Sequence, residues 1–346
     1  MLNVDAGFRL QIDQSGRFDG LTVRSAERVA PDADQVEVRV VLAGLNVSDV
    51  LKVKGLDPSA HEHGPAIGSE CVGVVTAIGE DVHSVQIGQR VLALGSGSFG
   101  SHLTTLEDLV VAVPDALTDR QAATFGVAYL TAWHALQEVA RLEPGERVLI
   151  HSAAGGVGLA SVSIAKMIGA HVYATAGSAD KREMLSAMGF DYIGDSHSLA
   201  FADEIANITD GEGVDVVVNT LEGQAITAGL KILAPGGRFI ELGKRAVQSN
   251  ATLGLRALAR SGTFAVVDID LNLRRRPWHY RQLLDDILIR AVRGDLAPLP
   301  VTEFRFDHAV EAFRLMGSGT HTGKILIAVP QGRGVGGAVP APHLVA

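Results

Sequence analysis

Hydrophobic positions along the first 125 residues come in short runs separated by glycine-containing turns. The runs are rich in β-branched residues, as in VEVRVVLAG, VGVVTAIG, RVLAL and LVVAV. This pattern is typical of a β-rich domain with many tight connections. We therefore predict a first domain over residues 1–125 that is built mainly from strands.

The pattern changes at Thr118, where T-D-R-Q forms a capping box before the long helical stretch AATFGVAYLTAWHALQEVA. After Pro144 and Gly145 the chain repeats an apolar strand, a turn and a helix-length segment. The strands of this repeat are RVLIHS, HVYATA, DYIGD, VDVVVNT, GRFIELG and TFAVVD. Strands that are apolar throughout are buried on both faces, so helices must cover a parallel sheet. The sequence predicts a doubly wound α/β domain over residues 126–295.

The last part of the chain returns to short strands and a helix at PLPVTEFRF, HAVEAFRLMGSG and KILIAV. No nucleotide-type turn accompanies them, so we expect residues 296–330 to complete the first domain. Residues 331–346 consist mostly of Gly, Pro, Ala and Val, which is a composition typical of linkers.

The amino-acid composition argues against several classes of partner and site. The chain has 346 residues with a net charge of -9, and this balance argues against a surface that binds nucleic acid. A single cysteine, Cys71, excludes an internal disulfide and leaves no clustered thiolates for a structural zinc. No uncharged run approaches the roughly 20 residues of a membrane span, so the expected compartment is the cytoplasm.

A bend of small residues follows the strand RVLIHS and precedes a helical segment. Small residues there allow a tight turn, close approach of the backbone to a pyrophosphate and close packing of helix on strand. The first glycine of the usual G-x-G-x-x-G order is alanine here, and a plain turn is the alternative interpretation. The residues assigned to a dinucleotide at this bend are Ala154, Gly155, Gly156, Val157 and Gly158.

The end of the second strand, HVYATAGS, indicates which dinucleotide binds. A site for NAD usually carries an acidic residue there that binds the ribose 2′-hydroxyl. This sequence has no acid at that place and supplies Ser178, Lys181 and Arg182 instead. A hydroxyl and two cations suit a 2′-phosphate, so NADPH is the predicted cofactor. The alternative is that Ser178 caps its helix and the two cations are solvated.

These features together resemble the medium-chain dehydrogenase/reductase superfamily over residues 1 to about 330. The resemblance implies a Rossmann domain joined to a smaller β-rich, GroES-like substrate domain. Zinc-dependent members carry Cys and His where this chain has Asn46 and Ser69. His61 and His63 could substitute, but they lie in a Pro- and Gly-rich loop with no companion thiolate, so no metal is expected.

Within the superfamily the chain most resembles the enoylreductase domains of polyketide synthases and animal-type fatty acid synthases. The matching stretches are GLNVSDVLKVKG, VAYLTAWHAL, IHSAAGGVGLASVSIA, ATAGSADKREML, VDVVVNTLEG, GGRFIELGK, PLPVTEF and HTGKILIAV. The resemblance implies reduction of the α,β double bond of an enoyl chain that a phosphopantetheine thioester tethers to an acyl carrier protein. It also implies neighbouring synthase domains as partners, with a homodimer as one possible assembly.

The resemblance assigns roles to individual residues. Lys244 and Asp268 fall on the polar pair proposed as proton donors or relay; the alternatives are a cofactor contact for Lys244 and a strand-end cap for Asp268. Many relatives have Tyr at the position of Val47, and the form without Tyr is associated with a 2R α-methyl product. Val47 is also expected to line the substrate pocket. The remaining positions expected around the cofactor are Asn46, Thr131, Leu221, Gly243 and Lys324.

Two other functions fit the same features. One is a free-standing quinone or enone oxidoreductase of the same superfamily. The other is a binding module that keeps the glycine bend for NADP and carries out no chemistry.

Overall fold

The first lobe of the molecule is built from strands, as its β-branched runs predict. The structure is a computed structural model that describes residues 7–57, 66–243, 247, 250 and 252–331. The elements of the first lobe are β1 (Phe8–Ile12), β2 (Leu21–Ser25), β3 (Gln35–Leu45), α1 (Val47–Val53), β4 (Glu70–Ile78), β5 (Arg90–Leu94), β6 (His102–Leu106), β7 (Val110–Ala112) and α2 (Asp119–Ala122).

The second lobe alternates strands and helices. Its elements are α3 (Val127–Trp133), β8 (Arg147–Ile150), α4 (Gly156–Ile168), β9 (His171–Ala176), α5 (Ala179–Ser186), β10 (Tyr192–Asp195), α6 (Phe201–Ile208), β11 (Val214–Asn219), α7 (Gln224–Lys231), β12 (Leu233–Glu241), β13 (Thr263–Val266), α8 (Ile269–Arg275) and α9 (Pro277–Arg293).

The chain then returns to the first lobe through β14 (Val301–Arg305), α10 (Ala309–Ser318) and β15 (Lys324–Ala328). Strand β15 pairs antiparallel with β3, with Ile325 opposite Leu45. The resulting sheet has the order β14-β15-β3-β4-β5-β7, and β6 pairs with β3 beside it. Gln331 donates to the carbonyl of Val40 at 2.9 Å, and the rest of the predicted linker, residues 332–346, lies outside the described residues.

A six-stranded parallel sheet of order β10-β9-β8-β11-β12-β13 forms the second lobe. Its central strands are buried on both faces: in β8, Val148 and Ile150 face one apolar cluster, and Leu149 faces another. The strand order reverses between β8 and β11, and in sheets of this kind ligands bind beyond the carboxyl ends of the strands at that reversal. The structure confirms the predicted fold class, a doubly wound domain joined to a smaller β-rich domain.

The stretch AATFGVAYLTAWHALQEVA, which the sequence predicts as one helix, is interrupted in the structure. Helix α2 ends at Ala122, α3 begins at Val127, and a π-helical segment runs from His134 to Val139. Gly126 has a ψ of -119°, which is not helical, and the Val127 N–H donates to the carboxylate of Glu70 at 2.7 Å. The break therefore frees a backbone N–H for a contact with the first lobe.

Helix α9 has 17 residues and carries charged side chains, including Arg281, Asp285 and Asp286. A helix that spans a bilayer needs about 20 mostly apolar residues. Within the part of the chain that the structure describes, no helix meets both requirements.

Candidate active site

The bend after β8 places the beginning of α4 at the point where the strand order reverses. Gly155 is the N-cap of α4, and no side chain caps the helix. The first N–H groups of a helix have no partner within it, so they are available to an anion. A Cβ at Gly158 would clash with the carbonyl of Ser152, and this glycine allows the helix to pack closely on the strand. Ala153 has no positive φ and tolerates a side chain, so alanine replaces the first glycine of the motif without strain.

Gly156 faces the first lobe across this bend. A Cβ there would lie 3.4 Å from the carbonyl oxygen of Gly323. The Gly323 N–H donates to the carbonyl of Ala154 at 2.9 Å, and Gly155 and Gly323 form an isolated parallel bridge. The predicted cofactor residues Ala154, Gly155 and Gly156 therefore contact the segment that leads into β15.

The three predicted phosphate contacts lie near the end of β9. Ser178 is the N-cap of α5, and its hydroxyl accepts from the Lys181 N–H at 3.3 Å. Lys181 Nζ donates to the carbonyl of Gly319 at 2.6 Å, and burial lowers the pKa of Lys181. The Arg182 guanidinium donates to the carbonyl of Ala176 at 3.0 Å and lies 3.5 Å from Asp195. Ser178 thus caps its helix, and a cap leaves its second lone pair and its proton for a ligand.

A buried ion pair within the first lobe contacts α3 through one further hydrogen bond. Glu70, whose side chain is 0% exposed, accepts from Lys324 Nζ and from Asn46 Nδ2, the latter at 2.8 Å. Its other oxygen accepts from the Val127 N–H, and Lys324 Nζ also donates to Asn46 Oδ1 at 2.7 Å. Gly126 and Gly44 leave room for the carboxylate, because a Cβ at either would clash with it. We call Asn46, Glu70 and Lys324 the junction cluster.

The segment that carries Asn46 and Val47 is held by a second buried carboxylate. Asp49 accepts from the N–H groups of Asn46 at 3.0 Å and Gly68 at 2.7 Å. Burial raises the pKa of Asp49 to about 6. Val47, the first residue of α1, is 62% exposed. On the other lobe, the buried Thr131 donates its hydroxyl proton to the Val127 carbonyl at 2.7 Å.

A third carboxylate organises the loops after β11 and β12. Glu241 accepts from Asn219 Nδ2 at 2.7 Å and from the Gly243 N–H at 2.6 Å. Asn219 Nδ2 also donates to the Leu221 carbonyl at 2.8 Å. Burial raises the pKa of Glu241 to about 7. We call Asn219 and Glu241 the switch-point cluster; it holds the predicted cofactor residues Leu221 and Gly243 in place.

Comparison with known proteins shows which family shares these features. The model for an alcohol dehydrogenase GroES-like domain matches residues 32–115, and the model for a zinc-binding dehydrogenase matches residues 156–273. A phenolphthiocerol/phthiocerol polyketide synthase of Mycobacterium tuberculosis is 63% identical over 326 residues, which are 94% of this chain and 15% of that protein. The solved CurK enoyl reductase is 36% identical with a TM-score of 0.87, and the match covers 94% of this chain and 100% of that one.

The chain belongs to the polyketide synthase enoyl reductases. This finding confirms the resemblance drawn from the sequence motifs. A second solved relative is the ER cyclopropanase CurF of the curacin A pathway, which is 32% identical with a TM-score of 0.87 over 94% of this chain and all of that one. Because one fold serves two reactions in these relatives, the reaction of each enoyl reductase has to be argued from its site.

Of the two residues assigned to proton transfer, the structure of this enoyl reductase describes Asp268 but not Lys244. Asp268 is the N-cap of α8, and its Oδ1 accepts from the Leu271 N–H at 3.2 Å. The preceding residue, Val267, donates its N–H to the Glu241 carbonyl at 2.9 Å, which ties Asp268 to the switch-point cluster. Lys244 lies outside the described residues. The residue before it, Gly243, donates its N–H to Glu241.

The zinc-binding name of the matched family model does not describe the junction cluster. The carboxylate of Glu70 already accepts hydrogen bonds from an ammonium, an amide and a backbone N–H. The Lys324 ammonium is thus the cation that balances it. The described residues contain no group of three or more His, Cys, Asp or Glu suited to a metal ion, and His61 and His63 lie outside them.

Sequence reasoning did not assign roles to Glu70, Asp49, Asn219 or Glu241. Each of these side chains is buried and polar, and each positions a residue that was assigned. The available signal was a charged residue at the end of an apolar strand, as in FIE for Glu241. Such a residue is almost never fully buried unless it has a partner.

Proposed function

We propose that this domain uses NADPH to reduce the α,β double bond of an enoyl chain carried as a thioester on the phosphopantetheine of an acyl carrier protein. One observation carries the proposal: the hydrogen bond from Gly323 to Ala154 sets the dinucleotide-type bend beside the junction cluster. The next residue, Lys324, belongs to that cluster. Ala154 in the bend and the junction residues Asn46 and Lys324, all of them predicted cofactor contacts, are therefore close together.

The fit to a dinucleotide rests on features of this chain. The first turn of α4 is uncapped, Gly156 keeps its surface free of a side chain, Gly158 lets α4 pack closely on the bend, and Lys181 lies in the first turn of α5 just after β9. The residues that would hold the cofactor are Asn46, Thr131, Ala154, Gly155, Gly156, Val157, Gly158, Ser178, Lys181, Arg182, Leu221, Gly243 and Lys324. NADPH, when bound, supplies the hydride that goes to Cβ of the substrate.

The protein has to supply a proton to Cα to complete the reduction. The hydride leaves negative charge on the thioester oxygen, and the proton must come from a group in hydrogen-bond reach or through one water. Val47 has no proton to give. We assign this role to Lys244, to Asp268 or to a water that they hold, and we assign a 2R configuration to the product of a 2-methyl-enoyl substrate.

The domain acts within a larger assembly in this proposal. The chain spans about 15% of the length of the Mycobacterium tuberculosis synthase that it matches. Other curated relatives are likewise long synthases, such as a mycocerosic acid synthase-like polyketide synthase of Mycolicibacterium smegmatis, of which the chain covers 16% at 40% identity. The enoyl chain would then arrive from a neighbouring domain on a mobile carrier.

Turnover of an enoyl thioester against a quinone tests the reaction class. Oxidation of NADPH with a crotonyl-pantetheine thioester should exceed oxidation with a small quinone at equal concentration. A faster reaction with the quinone would favour a quinone oxidoreductase. NADPH binding without turnover of either compound would indicate a binding module.

The cofactor preference should depend on Lys181 and Arg182. Removing a charge-assisted contact costs about 1.5–3 kcal/mol, because the remaining phosphate charge loses its partner. The double change Lys181→Ala with Arg182→Ala should therefore raise the Michaelis constant for NADPH and leave that for NADH nearly unchanged. An equal rise for both cofactors would rule out the assignment to the 2′-phosphate.

Lys244 should contribute as a general acid. Lys244→Met should slow product formation by about 10²–10⁴-fold, the usual size of such a contribution. The measurement is the single-turnover rate at saturating NADPH, with the dissociation constant of NADPH determined separately. A fall below about tenfold together with weaker NADPH binding would make Lys244 a binding residue.

A further inference from the structure

A loop from the first lobe lies across the two positions that the proposed function gives to phosphates. Residues 319–323 join α10 to β15. At one end the Gly319 carbonyl accepts from Lys181 Nζ at 2.6 Å, next to the start of α5. At the other end the Gly323 N–H donates to Ala154, at the bend before α4. The middle of the loop therefore lies between the predicted 2′-phosphate contacts and the predicted pyrophosphate contacts.

His321 is the titratable residue in the middle of this loop. Its ring is partly exposed, and its Nδ1 is buried with no hydrogen-bond partner among the described residues. Buried polar atoms in folded proteins nearly always have a partner, so an unpartnered one calls for an explanation. No hydrogen bond to Nδ1 holds the ring. The ring can therefore turn about the Cβ–Cγ bond without losing a hydrogen bond at this atom.

The charges around His321 are positive. Burial and the ammonium groups of Lys181 on α5 and Lys324 on β15 lower the pKa of His321 to about 4. The imidazole is therefore neutral near pH 7, and a neutral imidazole has one N–H to donate. A phosphate at this place would accept that hydrogen bond and would reverse the electrostatic effect of the two lysines.

We propose that His321 is a phosphate-binding residue of the dinucleotide site, presented by the first lobe on the loop 319–323. The inference rests on the proposed cofactor and adds to it a contact from the opposite lobe. Together with Lys181 and the uncapped first turn of α4, His321 forms a phosphate site that contains residues of both lobes. The phosphate is either the 2′-phosphate or the pyrophosphate, and a comparison of a ligand that carries the 2′-phosphate with one that lacks it distinguishes the two.

The test is equilibrium binding of NADPH, 2′,5′-ADP and ADP, measured by calorimetry on the full chain. His321→Leu removes the donor, and His308→Leu is the matched control, because His308 lies on the same lobe with a side chain that is 56% exposed. We expect His321→Leu to weaken NADPH binding about tenfold or more, the size of a lost hydrogen bond to a charged group. We expect the control to stay within about twofold of the wild type.

The smaller ligands locate the contact. Weakening of 2′,5′-ADP but not ADP supports a contact with the 2′-phosphate. Weakening of ADP, with or without weakening of 2′,5′-ADP, supports a contact with the pyrophosphate, because 2′,5′-ADP also carries the 5′-phosphate. Unchanged binding of all three ligands to His321→Leu overturns the role of His321 and leaves NADPH as the cofactor. Failure of the wild type to bind NADPH overturns the proposed cofactor and this inference together.

Folding of the variants is checked by thermal unfolding without ligand. His321→Asn is a second variant with a shorter donor, and it should bind NADPH with an affinity between those of the wild type and His321→Leu. If His321→Leu does not fold, His321→Asn carries the test alone, with the same outcomes.

Discussion

Two buried carboxylates, Glu70 in the junction cluster and Glu241 in the switch-point cluster, are both 0% exposed and differ in what surrounds them. Glu70 is paired with the Lys324 ammonium and accepts from an amide and a backbone N–H. Glu241 accepts from an amide and a backbone N–H, and among the described residues no cation pairs with it. A nearby Glu222 adds negative charge at the second site.

The comparison shows how one residue type serves two purposes. A buried charge with a buried counter-charge is tied to one geometry, because moving either partner leaves the other charge buried and unpaired. A buried carboxyl with only neutral donors is sensitive to pH instead, since burial penalises the ionised form. The junction cluster therefore fixes the carboxylate that accepts from Val127 of the second lobe, whereas the switch-point cluster holds the two loops predicted to contact the cofactor in a way that responds to protonation.

The largest expected effect is on the junction cluster. Lys324→Met should lower the free energy of unfolding by about 3–5 kcal/mol, because it leaves the Glu70 carboxylate buried without its counter-charge. Denaturant unfolding of the ligand-free chain measures this loss. Lys231→Met, at the exposed end of α7, is the matched control and should change the free energy of unfolding by less than about 0.5 kcal/mol.

A double variant tests whether the loss comes from the ion pair. Glu70→Gln combined with Lys324→Met removes both charges, so it should be less destabilised than the sum of the two single variants. Strict additivity of the two losses would show that Glu70 and Lys324 do not stabilise each other as an ion pair.

The second effect is the pH dependence that Glu241 contributes. The pKa of Glu241 is raised from its ordinary value of 4.5 to about 7, so the folded state binds more protons than the unfolded state between these values. The stability from this group is fully present below about pH 4.5 and decreases by about 3 kcal/mol as the pH rises through about 7. Glu241→Gln should lack this decrease.

The measurement is the free energy of unfolding of wild type and Glu241→Gln from pH 5 to pH 8. Two histidines act with the opposite sign: burial lowers the pKa of His151 to about 3 and that of His321 to about 4, so their stability is lost as the pH falls below about 6.5. They are present in both proteins, so the difference between the two curves isolates Glu241. Parallel curves would contradict the assignment of this pH response to Glu241.

The smallest expected effect on stability belongs to Val47, beside the junction cluster. Val47→Tyr should change the free energy of unfolding by less than about 0.5 kcal/mol, because the side chain is 62% exposed. It should nevertheless move the product of a 2-methyl-enoyl substrate from 2R toward 2S, since a phenol there can protonate Cα from the other face. Chiral analysis of the product measures this change, and a wild-type product that is already 2S would refute the role given to Val47.

Much of the fold could be predicted from local patterns. The apolar strands with helices between them predict the parallel sheet, and the small residues at 153–158 predict the bend that begins α4. The predicted long helix was wrong because its interruption depends on Glu70, which lies 57 residues before Val127. Local periodicity contains no information about a partner at that distance.

The sequence by itself determined the two kinds of lobe, the dinucleotide-type bend and the absence of an acid at the end of β9. Each of these follows from backbone conformation, side-chain period or residue type within one short segment. Only the tertiary structure decided which polar groups meet: Lys324 lies 278 residues after Asn46, and both converge on Glu70. A buried charge is tolerated only where partners converge on it, and the identity of those partners is set by the packing of distant strands rather than by their sequence neighbours.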